Sequence, residues 1–287
     1  MRKGIRRVLI GALLVVFLVC AGCLAKIGLQ YRSSRKVYSD AVSAYTKPSS
    51  GGGTGSASSA GTGAGQVGDD TPDAPDETTD DKSGLICAPI EVDFDALMQE
   101  GADVFAWIYC EDTIINYPVV WGRDNQLYLW KNYRGEEDPC GSIFSDASNI
   151  KGVVDANIIL YGHHMQDKSM FAILEKWEEQ EFYDEHPVMW LLTPEQDYRI
   201  DLFSCYVTPG DSETYTIYRE GGENFNEYLR KAQSYSQFSS PVVLDPDAHY
   251  VVLSTCAYSF YLARTVVHGM LVPVDSAGGV PLTERAE

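Results

Sequence analysis

Positive charge is scarce in this chain: 22 lysines and arginines stand against 41 aspartates and glutamates, a formal net charge of −19. Such a balance repels polyphosphate, so nucleic acid is excluded as a partner. Paired cysteines are lacking as well. Of seven cysteines only Cys20 and Cys23 are closely spaced, and both lie in an apolar run. An odd number without repeated spacing does not indicate a disulfide framework and leaves at least one thiol unpaired within the monomer, Cys256 being the best candidate. Beyond Lys26 there is no Cys-x-x-Cys or His-x-x-x-His pair, which argues against a zinc site. No metal and no cofactor is expected. Charge is missing from Val8 to Ala25, aromatic residues are missing from Ser49 to Gly84, and no internal repeat is visible.

The two gaps organise the front of the chain. As a helix, the apolar run 8–25 would measure about 27 Å at ~1.5 Å per residue, close to the ~30 Å of a bilayer's hydrocarbon core. Arg2, Lys3, Arg6 and Arg7 precede it. This order reads as a single-pass signal anchor: residues 1–7 a cytoplasmic tip, 8–25 a transmembrane helix, and the rest outside the cell. Small residues around Cys20 to Ala25 leave two other readings open, a cleaved signal peptide and lipid attachment at Cys23. Residues 26–48 form a polar, partly helical juxtamembrane segment. Residues 49–84 are rich in Gly, Ser, Thr and Ala, then acidic, and cannot offset their ordering entropy by burial. They read as a disordered linker with a reach of about 30 Å, lifting the folded domain off the membrane.

All five tryptophans fall within residues 85–275, the expected folded domain, with a tail at 276–287. Strand-like runs recur at 113–121, 141–144, 158–161, 188–192, 198–208, 250–255 and 265–274, mostly separated by turn signals. Helical patterns occupy 94–100, 125–130, 169–178 and 223–235, the third with Ser169 as a cap and Met170, Ile173, Leu174 and Trp177 as an apolar stripe. Many short strands with few helices predict a mainly β, barrel-like domain.

The chemistry gathers near its end. Cys256 closes the run that includes Tyr250-Val251-Val252-Leu253, and eight residues later Arg264 opens the next. That spacing sets a thiol and a permanent cation at the ends of neighbouring strands. Almost a hundred residues upstream, Tyr161-Gly162 leads into His163-His164. Cysteine is the best side-chain nucleophile at neutral pH, arginine is a fixed donor for a developing oxyanion, and histidine can give and take a proton. Each residue also has a plainer reading. A cysteine at a strand end is commonly a small buried hydrophobe. Adjacent His163 and His164 point to opposite faces, so only one can meet Cys256, and His268 shares strand parity with Arg264 as a structural neighbour.

Four motifs in order carry a resemblance: Thr113 to Val120, Gly141-Ser142-Ile143-Phe144-Ser145-Asp146, Tyr161-Gly162-His163-His164-Met165 with Ser169-Met170-Phe171, and Leu253-Ser254-Thr255-Cys256 with Ala263-Arg264. Over about residues 93–274 the chain resembles the class B sortases of Gram-positive bacteria. The resemblance implies a closed sortase β-barrel and a cysteine transpeptidase. Cys256 would be its nucleophile, His163 its general acid/base and Arg264 its oxyanion or substrate clamp. It also implies partners: secreted proteins bearing a C-terminal sorting motif, and an amine of the peptidoglycan precursor or a pilin lysine as acceptor. The implied groove involves Asn125, Leu129, Ser254 and Thr255; the competing reading of 124–129 is a capped helix with Leu129 in the core. One departure stands out, because the acidic residue that family members often carry shortly after the cysteine is replaced by Ala257-Tyr258-Ser259. A non-catalytic binding module with the same fold and a hydrolytic cysteine endopeptidase are the alternatives.

Overall fold

The computed structural model describes residues 2–49, 87–101, 103–256 and 262–275. Along the chain come α1 (Arg2–Tyr45), β1 (Thr46–Pro48), β2 (Ile90–Val92), α2 (Phe94–Glu100), β3 (Val104–Tyr109), β4 (Asn116–Trp121), β5 (Ile143–Ser145) and β6 (Asn157–Tyr161). The second half supplies α3 (Gln180–Glu185), β7 (Val188–Leu192), β8 (Asp197–Pro209), α4 (Glu223–Ser234), β9 (His249–Cys256) and β10 (Ala263–Val274). Eight strands close a barrel in the order β10-β8-β7-β3-β4-β5-β6-β9. Neighbours are antiparallel except β4 with β5 and β6 with β9. The interior is filled by side chains such as Ile143, Leu160, Leu202, Leu253 and Val267. Alternate residues of the same strands, among them Ile159, Phe203, Val252 and Val266, face outward and are covered by Phe225, Tyr228 and Leu229 of α4.

The expected strands are present with shifted ends, but β3 was not among them. Five of its six residues are buried, so it shows no alternation of polar and apolar positions. The helix expected at 125–130 is a single 3-10 turn, Leu127–Leu129, whose entry Asp124 caps by accepting from Gln126 N and Leu127 N at 2.8 Å each. The helix expected from Ser169 begins at Ala172 and is also 3-10. Ser169 does not cap it; its hydroxyl donates to Asp167 Oδ1 at 2.6 Å.

α1 changes the reading of the front of the chain. Among the described residues it is the one helix long and apolar enough to cross a membrane. It continues without a break through the polar stretch to Tyr45. Tyr31, Ser34, Tyr38, Ala41 and Tyr45 recur at intervals of three and four, which places them on one stripe, and that stripe lies against the barrel. Tyr38 meets Tyr117 of β4 edge-on at 5.4 Å and donates its hydroxyl to Gly141 O. The helix ends where Thr46 folds its hydroxyl back to Val42 O at 2.8 Å, two residues before Pro48. β1 then pairs with β2, and Ser49 N donates to Pro89 O at 2.9 Å. The segment between therefore leaves and rejoins one small ladder. Residues 31–48, expected as a juxtamembrane segment, pack on the barrel and pair with β2, and α1 runs into them without a break; of the linker expected at 49–84, only Ser49 is among the described residues. Residues 50–86 and the tail 276–287 lie outside the described residues.

Candidate active site

Three adjacent strands present the site at one rim of the barrel. β6 runs parallel to β9 with Tyr161 beside Ser254. Gly162 N donates to Ser254 O at 3.1 Å, so the ladder continues past the end of β6. His163 and Cys256 each stand two residues beyond that pair, on strands about 4.8 Å apart. On the other side of β9, the antiparallel register sets Arg264 opposite Cys256. Residues directly opposite share a face, with Cβ atoms about 4.5–5.5 Å apart. Gly162 is required by packing: a Cβ there would lie 2.6 Å from Ile143 Cδ1 and 2.7 Å from the Phe171 ring.

His163 is held from the side away from Cys256. Its Nε2 lies 2.8 Å from the carbonyl oxygen of Leu129. A carbonyl only accepts, so Nε2 carries the hydrogen and Nδ1 is left to exchange a proton. The Leu129 carbonyl is itself placed by Gly141, at φ +57°, where a Cβ would come within 2.7 Å of that oxygen. The Trp130 ring lies 5.8 Å from the His163 ring. His164 turns away to Glu175, 2.9 Å from Nε2. His268 is buried under α4 against Tyr228, whose hydroxyl is 3.0 Å from Nε2. It takes no part in the rim.

Arg264 lies over Gly210, whose Cβ, if present, would sit 3.8 Å from Cζ, and its Nη1 donates to Ala263 O at 3.1 Å. Among the described residues no carboxylate forms an ion pair with it. A cation at this position without a carboxylate can meet a charge that develops on a substrate. Behind it Tyr161 and Tyr215 stack at 6.2 Å. Burial pushes the Tyr215 phenol up to about 12, and its hydroxyl is 2.9 Å from Ser254 Oγ. Burial and the Asp146 carboxylate raise Tyr161 further, and it donates to Asp146 Oδ2 at 2.9 Å. Both phenols remain neutral.

The thiols sort by environment. Cys110, Cys140 and Cys205 are buried, and burial pushes the first two up to about 12 and about 11. Cys256 is partly exposed and stands at the rim. No group of three or more His, Cys, Asp or Glu among the described residues is arranged to hold a metal.

The groove residues fare unevenly. Leu129 reaches the site through its carbonyl, and Ser254 through Tyr215 and Gly162. Asn125 is committed to structure: its Nδ2 donates to Asp146 Oδ2 at 2.9 Å and its Oδ1 accepts from Ala147 N at 2.8 Å. Thr255 offers the groove its backbone only. Strand alternation turns its side chain to the interior, opposite to Cys256, and it is 2% exposed. Sequence reasoning gave no role to Tyr161, Asp146, Trp130 or Tyr215. The first two sit inside motifs already noted. Tyr215 lies in the long β8–β9 connection with no local signal. Residues 257–261, which include the departure at 257–259, lie outside the described residues.

The barrel and its rim match the sortase class of transpeptidases. Staphylococcus aureus sortase B superposes with a TM-score of 0.60 at 32% identity, covering 63% of this chain and 87% of that one. Sortase B of Bacillus anthracis gives a TM-score of 0.62 at 29% identity over 85% of this chain and 99% of that one. No family model matches. In sequence, sortase B of Listeria monocytogenes is 35% identical over 180 residues, 61% of this chain and 72% of that protein. The chain belongs to the class B sortases.

Proposed function

We propose that the chain is a membrane-anchored cysteine transpeptidase that works outside the cell on secreted proteins bearing a C-terminal sorting motif. The observation that carries the reading is the register of β6, β9 and β10, which gathers His163, Cys256 and Arg264 at one rim. The Cys256 sulfur attacks the scissile carbonyl carbon. Arg264 donates to the oxyanion, the C–N bond breaks, and the leaving amine takes the one proton shared by the Cys256–His163 pair. An amine of the peptidoglycan precursor then attacks the thioester, the C–S bond breaks, and the surplus N–H proton returns to the pair. The apolar part of α1 anchors the enzyme. A solved complex of Staphylococcus aureus sortase B with substrate, and another sortase B complexed with triglycine, support a peptide donor and an amine acceptor here.

The test is incubation of the full chain in detergent with a sorting-peptide library, with and without an amine, and mass analysis of the products. A covalent peptide adduct is expected on the wild type and absent in Cys256→Ala. Full activity in the alanine variant would remove Cys256 from the mechanism, and products that never incorporate amine would remove the transferase reading.

A further inference from the structure

We propose that Trp130 forms the acceptor subsite, recognising a primary ammonium carried on an aliphatic stem. The inference rests on the transpeptidase reading and names what that reading leaves blank, the place where the second substrate binds.

The placement follows from the order of strands. Across the rim run Arg264 on β10, Cys256 on β9 and His163 past β6, with β5 on the far side of β6. The stretch holding Leu129 and Trp130 is bonded just ahead of β5, where Ser142 N donates to Tyr128 O at 2.9 Å. Trp130 therefore stands across His163 from Cys256 and Arg264. Arg264 occupies the opposite side, beyond Cys256, which suits the acyl donor.

Proton balance assigns the Trp130 side to the amine. The leaving amine takes a proton from the Cys256–His163 pair, so the incoming amine must return one along the same path. Its nitrogen has to stand within hydrogen-bond reach of His163, and the stem behind it extends over what flanks that ring. The flank is an indole 57% exposed, the most exposed aromatic ring at the rim among the described residues, and packing leaves it largely uncovered. An aromatic face covers methylenes and attracts a cation. The turn that follows adds exposed Glu136 and Glu137, the first accepting from Asn132 Nδ2 at 2.9 Å and the second bridged through its backbone to Lys131, while Arg134 is already paired with Glu100 at 2.8 Å. The ammonium sheds one proton to solvent. The neutral nitrogen then attacks the thioester carbonyl carbon, the new C–N bond replaces C–S, and the surplus proton passes to the pair.

The experiment uses the full chain in detergent with a donor peptide from the library, Nα-acetyl-lysine amide or triglycine as ammonium acceptor, and hydroxylamine as an uncharged one. The reading is the nucleophile concentration that diverts half of the product from hydrolysis. This partition is internal to each variant, so altered thioester formation or a partly unfolded sample cancels. Trp130→Ala is expected to raise that concentration about two- to fivefold for the ammonium acceptors and to leave hydroxylamine unmoved, while Trp130→Phe stays near wild type. An unchanged partition in Trp130→Ala, or an equal shift for hydroxylamine, overturns the subsite. Diversion by none of the three nucleophiles in the wild type overturns the transferase reading instead.

Discussion

Single residues in this barrel act chiefly by leaving room or by excluding water. Gly141 sits at φ +57° with a virtual Cβ 2.6 Å from Tyr128 O and 2.7 Å from Leu129 O. Gly141→Ala must displace the carbonyl that orients His163. The expected result is a loss of about 1–3 kcal/mol in urea unfolding and a larger fall in kcat than in donor KM, toward the ~100-fold that a 1 Å misplacement costs. His268 illustrates the second kind of effect. Burial holds it at about 3 against an ordinary 6.5, so it stays neutral in the fold. As pH falls below 6.5 the unfolded chain takes up a proton that the folded chain refuses. Stability then drops by ~1.4 kcal/mol per pH unit until about 3. Unfolding followed between pH 6.5 and 4 is expected to show a shallower slope in His268→Phe; an unchanged slope would mean that other groups set it.

Among the elements, α1 contributes more than a simple anchor would. Its buried stripe adds Tyr38, Ala41 and Tyr45 to the barrel's own core, and Tyr38 reaches the backbone of Gly141. Gly141 in turn packs on the Leu129 carbonyl that holds His163. A chain beginning at Lys26 is expected to keep the thermal midpoint of the barrel. One beginning at Thr46 is expected to lose about 3 kcal/mol or more, roughly 6–12 °C in Tm, and to turn over more slowly. Equal midpoints in calorimetry would show that the stripe contributes nothing. The sequence marked this stretch only as polar and partly helical, because its seam is a few tyrosines, an alanine and a serine among charges, and no single run stands out.

For the molecule as a whole, a helix continuous with the barrel holds the rim in a set orientation to its own apolar half. The acidic, glycine-rich segment is bracketed by β1 and β2, so its length does not set that relation. Replacing residues 52–84 by a short Gly/Ser turn is expected to leave activity intact and to stabilise the fold by about 1 kcal/mol, through a smaller loop-closure entropy. Loss of folding on that replacement would give the segment a structural part. The barrel itself was legible from its strand runs, with β3 hidden by burial on both faces. The rim was legible in Cys256 and Arg264, whereas Tyr215 and Trp130 emerged only where distant loops converge.

Whatever rests on near neighbours was already written along the chain. Two β-branched runs eight residues apart made a strand pair that could only set Cys256 against Arg264, and period-2 alternation put both on one face. Composition alone set the apolar helix apart from the acidic stretch. Closure of the barrel settled the rest. Parallel pairing of β6 with β9 brings residue 163 beside residue 256, and no local pattern encodes which distant edge a strand will meet. The same closure turned Thr255 inward, placed Trp130 across the imidazole, and seated α1 on the wall. Hydrogen-bond ladders and core packing satisfy every strand together, and only that joint solution fixes which side chains share the rim.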